Sequence, residues 1–149
     1  MKESIERAEE ELKRADHLVY VSLKYTRTVD VIKNIIERLI NAFDCGIETL
    51  LDYAKKKKKI QQKPNLTTQR YSAIKKLFKD DEEMMKLIEL YPLLKKINKA
   101  EFKREREYRR HVTMVVEVEG EVRGIDIDLM YKYFEKAKEF IALVKEKTG

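Results

Sequence analysis

Residues 29–58 read VDVIKNIIERLINAFDCGIETLLDYAKKKK, and this stretch decides the fold. Its apolar side chains recur at steps of three and four, which places them on one face of an α-helix about 45 Å long. The stripe consists of Ile32, Ile36, Leu39, Phe43, Ile47, Leu50 and Ala54. Three further apolar residues, Ile35, Ile40 and Leu51, widen this stripe beyond what one antiparallel neighbour covers. We therefore expect a core helix that leaves apolar surface for a second copy, and we predict a homodimer.

A second amphipathic helix is predicted on the N-terminal side, over residues 3–24. Its apolar positions keep the same spacing and are Ile5, Ala8, Leu12, Ala15, Val19 and Leu23. Ser4 is a candidate N-cap for this helix, and Thr28 is a candidate N-cap for the long one. Because only residues 25–28 separate the two helices, they are expected to form an antiparallel hairpin.

The rest of the sequence predicts shorter helices and one segment in which the spacing of the apolar residues changes from helical to alternating. Helices are expected over 68–79, over 82–90 with Asp80 or Asp81 as the cap, and over 92–110. Residues 112–127 alternate apolar and polar side chains on either side of Gly120, which predicts a β-hairpin. Asp128 is expected to cap a last helix at 129–147. The fold class is therefore mainly α: one domain, residues 1–149, with a helical bundle built on a long antiparallel helix pair and a small β-hairpin before the last helix.

The charge balance permits nucleic-acid contact without requiring it. Thirty-three Lys and Arg stand against 27 Asp and Glu, a formal net charge of +6. Lys55–Lys59 end the long helix. Cations at this position interact favourably with the negative end of the helix dipole or, alternatively, bind phosphate. Abundant Lys and Glu with few Gly also resemble the composition of heat-adapted proteins. No apolar run approaches the ~18 residues of a membrane span and no signal peptide is evident, so a cytoplasmic location and no membrane contact are expected.

Few residues in the chain suit metal or cofactor chemistry. There are two histidines, one cysteine and four isolated glycines, so neither a zinc site nor a glycine-rich phosphate loop is expected. Cys45 lies in the long helix and is interpreted as a small apolar residue near the core, with a reactive thiol as the alternative. His17 is interpreted as a surface residue of the first helix. No cofactor and no metal is predicted.

The most distinctive segment is Arg104-Glu105-Arg106-Glu107-Tyr108-Arg109-Arg110-His111, placed by the prediction where a helix gives way to a strand. Guanidinium groups hold phosphates, and an imidazole can transfer a proton near neutral pH. Together they are the minimum needed to cut RNA without metal: a base for the 2′-hydroxyl and cations for the negative charge of the pentavalent transition state. The alternative interpretation is a charged helix end with an incidental histidine.

The layout and this segment resemble the HEPN domains (higher eukaryotes and prokaryotes nucleotide-binding). Those proteins are helical bundles with a long antiparallel first helix pair, and many carry an Arg, four to six arbitrary residues and a His near the last helical region. Arg106 with His111 fits the shorter spacing here, and Arg104 with His111 fits the longer one.

The resemblance implies a metal-independent RNase of the toxin or defence type that works at a homodimer interface. Arg106 (or Arg104) and His111 would then be catalytic, while Lys103, Arg109 and Arg110 would contact the RNA backbone. Other members of the family have lost activity and serve as partners of a nucleotidyltransferase or as binding scaffolds. A non-enzymatic interaction module, paired with such a partner or with an antitoxin, is therefore the alternative function.

Overall fold

The computed structural model describes residues 2–149 and confirms a mainly α fold with a small antiparallel sheet before the last helix. The elements in chain order are α1 (Lys2–His17), a π-helical segment (Leu18–Ser22), α2 (Leu23–Tyr25), α3 (Val29–Lys56), α4 (Thr67–Leu77), α5 (Glu82–Ile88), α6 (Leu90–Lys99), β1 (Phe102–Glu105), β2 (Thr113–Val118), β3 (Glu121–Ile125) and α7 (Ile127–Thr148). No helix within residues 2–149 combines the length and the apolarity that crossing a membrane requires.

The predicted antiparallel pairing of α1 with α3 is present. Near the beginning of α1, Ser4 Oγ lies 2.7 Å from Thr49 Oγ1, close to the end of α3. Farther along α1, Glu11 accepts hydrogen bonds from Arg38, in the first half of α3. The prediction that Ser4 caps α1 is wrong, because the helix already begins at Lys2 and Ser4 is buried inside the bundle.

Helix α3 is the centre of the core. Every position of its predicted apolar stripe, from Ile32 to Ala54, is buried. Ile35, Ile40 and Leu51 are buried as well, within the same chain. The apolar surface of α3 that was expected to remain for a partner is thus covered by the other elements of the monomer.

Helix α7 packs closely on α3 at Gly46. A Cβ at this position would lie 2.5 Å from Phe140 Cε2 and 2.9 Å from Ile141 Cδ1. The ring of Phe140 stacks on that of Phe43, with 4.7 Å between centroids. Because the stacked ring has little room to move, only glycine allows the two helices this approach.

The prediction of one helix over residues 92–110 is wrong. Helix α6 ends at Lys99, where Ala100 takes extended backbone angles, and Phe102–Glu105 then pair with β2 as strand β1. Pro92 lies in the first turn of α6, where its missing N–H removes no intrahelical hydrogen bond. Beyond Phe102, all residues of β1 are exposed. This edge strand therefore lacks the alternation that reveals a half-buried strand, and its Lys, Arg and Glu residues are good helix formers.

The predicted β-hairpin is confirmed as β2 and β3. Met114, Val116 and Val118 are buried on one face of β2, as the alternation requires. Glu119 and Gly120 form the turn with φ of 55° and 80°. Two successive positive φ angles are typical of a type I′ turn, which matches the twist of a two-residue hairpin.

An aspartate caps each of the helices α5 and α7, and the structure shows which aspartate it is. Asp81, rather than Asp80, caps α5 by accepting a hydrogen bond from the Met84 N–H at 3.0 Å. The prediction that Asp128 caps the last helix is wrong, because Asp126 accepts the capping hydrogen bond from the Leu129 N–H at 3.0 Å. Helix α7 accordingly begins at Ile127, two residues earlier than predicted.

Candidate nucleic-acid interface

The Arg/His segment lies between two strands rather than at a helix end. Arg104 is in β1, and residues 106–111 form the connection from β1 to β2. Strands β2 and β3 follow it before α7 begins, so the segment is not at the start of the last helical region. We call residues 103–111 the basic loop.

Three contacts fix the basic loop to the beginning of α3. The backbone N–H of Tyr108 donates to the carbonyl oxygen of Arg27 at 2.6 Å. The N–H of Val29 donates to Glu107 Oε2 at 2.9 Å, and Arg104 Nη2 lies 2.9 Å from Asp30 Oδ1. The loop is therefore held against the connection between α2 and α3, far from its position in the sequence.

Glu107, rather than Thr28, supplies the side-chain cap of α3. Thr28 has the extended backbone of an N-cap residue, but its side chain makes no capping hydrogen bond. The carboxylate of Glu107 takes that role from 78 residues away. A carboxylate at this end of a helix also interacts favourably with the helix dipole. No local sequence pattern indicates this cap.

Arg104 is engaged in ion pairs. Its guanidinium bridges Asp30 and Glu107, the second at 3.3 Å, and also lies over the ring of Phe102, 5.3 Å from the centroid. The hydrogen bond from Arg104 lowers the pKa of Asp30 below its usual value, and the Asp30 carboxylate raises the pKa of Arg104. Arg104 thus braces the loop and is poorly placed to act as a free phosphate ligand.

The other predicted site residues have no such partners. Their side chains are all exposed, and none forms a hydrogen bond or ion pair with any group of residues 2–149; they are Lys103, Arg106, Arg109, Arg110 and His111. The contrast with Arg104 separates the two candidate arginines. Arg106 is the one with a guanidinium free for a ligand.

Two successive turns carry four of these free side chains, Arg106, Arg109, Arg110 and His111, while Lys103 lies in the adjoining strand β1. The N–H of Arg109 donates to the carbonyl of Arg106 at 3.2 Å, and the N–H of Val112 donates to that of Arg109 at 3.1 Å. Thr113 Oγ1 donates to the carbonyl of His111 at 2.8 Å. Buried Val112 anchors the end of the loop in the core. The backbone on both sides of His111 is therefore fixed, while its imidazole stays open to solvent.

The structure also places two tyrosines at this surface that the sequence did not single out. Tyr108 belongs to the basic loop, and Tyr25 ends α2, two residues before the carbonyl that Tyr108 contacts. Both side chains are exposed. The signal available in the sequence was a tyrosine embedded in a run of arginines.

The remaining candidates lie elsewhere. His17 is exposed at the end of α1, as predicted, and lines a shallow pocket of about 470 Å³. Cys45 is half-buried against the core, as predicted, and burial raises the pKa of its thiol, which disfavours the reactive thiolate. Of Lys55–Lys59, the first two close α3 and Lys58 has a left-handed φ of 61°.

Within residues 2–149, no cluster of His, Cys, Asp or Glu has the grouping needed to hold a metal ion. No protein-family model matches the chain, and no curated protein or solved structure shows significant similarity to it.

Proposed function

We propose that this protein binds RNA through the basic loop and cleaves it there, as a HEPN-like, metal-independent ribonuclease of the toxin or defence type. The observation that carries the proposal is the concentration of free cations in one fixed loop: Lys103, Arg106, Arg109 and Arg110 are exposed and unpaired. They differ in this from Arg38 and Lys147, which are engaged with carboxylates. Phosphate oxygens are the natural partners of unpaired guanidinium groups.

The proposed chemistry needs only side chains of the loop. His111 accepts the proton of an RNA 2′-hydroxyl, and the 2′-oxygen attacks the adjacent phosphorus and displaces the 5′-oxygen of the next nucleotide. The products are a 2′,3′-cyclic phosphate and a 5′-hydroxyl, which gains its proton from water, and the His111 imidazolium returns its proton to the hydroxide that remains. Arg106 stabilises the additional negative charge on the non-bridging phosphoryl oxygens in the transition state.

Binding is tested with a labelled RNA and a triple variant, Arg106→Ala/Arg109→Ala/Arg110→Ala, in fluorescence anisotropy. We expect affinity at physiological salt to fall about tenfold or more, because three phosphate contacts are lost. The slope of log K against log salt should decrease in magnitude by about 2 for a single strand.

The matched control removes three lysines from α4 and its end, Lys75→Ala/Lys76→Ala/Lys79→Ala. This change lowers the net charge equally but leaves the basic loop intact. If the control weakens binding as much as the arginine variant, the attraction is non-specific and the basic loop is not the site. Wild-type protein that binds no RNA would leave the interaction-module function in place.

A homodimer belongs to the same proposal, because the HEPN resemblance implies an active site shared by two copies. Since α3 is covered within the monomer, the dimer has to use other surface, and Tyr20 and Val21 are exposed beside α2 at 44% and 40%. Light scattering at micromolar concentration is expected to give about twice the 17.8 kDa of one chain. A mass of one chain would contradict the dimer. A nucleotidyltransferase-type or antitoxin partner is also proposed, and it rests on the same HEPN resemblance as the homodimer.

A further inference from the structure

Two tyrosines project into solvent beside the basic loop. Tyr25 is 81% exposed and Tyr108 is 79% exposed, more than any other large apolar side chain of residues 2–149. A fully exposed tyrosine contributes little to the stability of the chain that carries it. Two of them at one place, next to unpaired arginines, call for a ligand that offers flat apolar faces and negative charge.

The contacts of the backbone place the two rings within reach of one ligand. Tyr108 N lies 2.6 Å from the carbonyl oxygen of Arg27, and Tyr25 precedes Arg27 by two residues. With 3.8 Å between consecutive Cα atoms, the Cα atoms of the two tyrosines are at most about 14 Å apart. The two rings do not stack on each other in the free protein. Both ring faces are therefore available.

The loop holds Tyr108 outward in an unfavourable backbone conformation. Tyr108 has φ of 65° and Arg106 has φ of 56°, both in the left-handed region that non-glycine residues seldom adopt. Such conformations persist only where the surroundings impose them, here through the Arg27 and Glu107 contacts, and they concentrate at ligand-binding sites. Since neither side chain packs against the protein in return, the conformation is consistent with presentation of both groups to a ligand.

We propose that Tyr25 and Tyr108 stack on unpaired nucleotide bases, so that the basic loop selects single-stranded over double-stranded RNA. The proposal rests on the proposed RNA binding and deepens it. Arg106, Arg109 and Arg110 hold the phosphates, while the tyrosines require bases that a duplex keeps stacked inside. Aromatic stacking combined with a cationic track is how sequence-tolerant single-strand binding works in general.

The absence of tryptophan makes a direct test possible. In Tyr25→Trp and Tyr108→Trp, the introduced indole is the single tryptophan of the protein, so its fluorescence reports on that position alone. We expect a single-stranded RNA to quench both indoles, whereas an RNA duplex of the same length leaves them unquenched. Leu66→Trp is the control at another exposed apolar position (61%), where neither RNA should change the emission.

Affinity measurements complete the test. Tyr25→Ala and Tyr108→Ala should each weaken binding of the single strand roughly 5- to 150-fold, whereas duplex binding stays the same. Tyr108→Phe should retain the affinity, because stacking needs the ring and not the hydroxyl, and Tyr108→Leu should lose it despite its apolar character.

The failures of the two proposals are distinguishable. If wild-type protein binds single strand and duplex equally, depends on the arginines and tolerates both Tyr→Ala changes, the stacking proposal is overturned and RNA binding stands. If no RNA binds at all, both fall, and the tyrosines are then assigned to a protein partner.

Discussion

Replacing Phe43 with alanine is expected to lower the free energy of unfolding by about 3–5 kcal/mol. Phe43 is fully buried in α3, stacks on Phe140 of α7 at 4.7 Å and contacts Tyr91 of α6 at 6.0 Å between ring centroids. The change leaves a cavity where three helices meet. Those helices cannot close it easily, because Gly46 already brings α7 as near to α3 as the packing allows.

Urea denaturation followed by circular dichroism measures this effect. Val122→Ala is the control, since that side chain is 73% exposed on β3, and its stability should stay within about 0.5 kcal/mol of the wild type. A loss below about 1 kcal/mol for Phe43→Ala would contradict the central position that we assign to this ring.

The position of Phe43 also illustrates what the sequence could predict. The apolar stripe from Ile32 to Ala54 keeps steps of three and four throughout, which only an α-helix buried along that face explains. The β-hairpin was equally legible, because Met114, Val116 and Val118 alternate with less buried residues around a glycine turn. Where the periodicity of apolar residues is strong, local and tertiary preferences agree, and the sequence is sufficient to predict the element and its buried face.

The surroundings of the candidate site were not predictable in the same way. Strand β1 is an edge strand with one half-buried residue, Phe102, so no alternation distinguishes it from a charged helix end. The cap that Glu107 gives to α3, and the ion pair between Arg104 and Asp30, join residues more than 70 positions apart. Such contacts depend on tertiary packing, which spacing along the chain does not encode. The sequence therefore indicates the Arg/His segment as a candidate site but does not indicate which of its arginines is free.

That distinction determines the outcome expected for catalysis. Arg106→Ala should slow RNA cleavage by about 10²–10³-fold. The variant lacks the exposed, unpaired guanidinium that stabilises the negative charge of the transition state. His111→Ala should abolish cleavage, because residues 103–111 then lack the imidazole that accepts the 2′-hydroxyl proton near neutral pH. Neither side chain packs in the core, so the free energy of unfolding of both variants should stay within about 0.5 kcal/mol of the wild type.

Arg104→Ala is the comparison that separates the two possible spacings to His111. Its guanidinium is held by Asp30 and Glu107, so its loss should loosen the loop and reduce stability and activity together. Arg109→Ala should instead weaken RNA binding in a salt-dependent way without changing the rate at saturating RNA. Cleavage is measured on a labelled RNA in the presence of a chelator, with an RNA carrying 2′-deoxyribose at the cleaved position as the uncleavable control. If Arg106→Ala is harmless while Arg104→Ala loses activity at unchanged stability, Arg104 is the catalytic arginine and the role assigned to Arg106 is wrong.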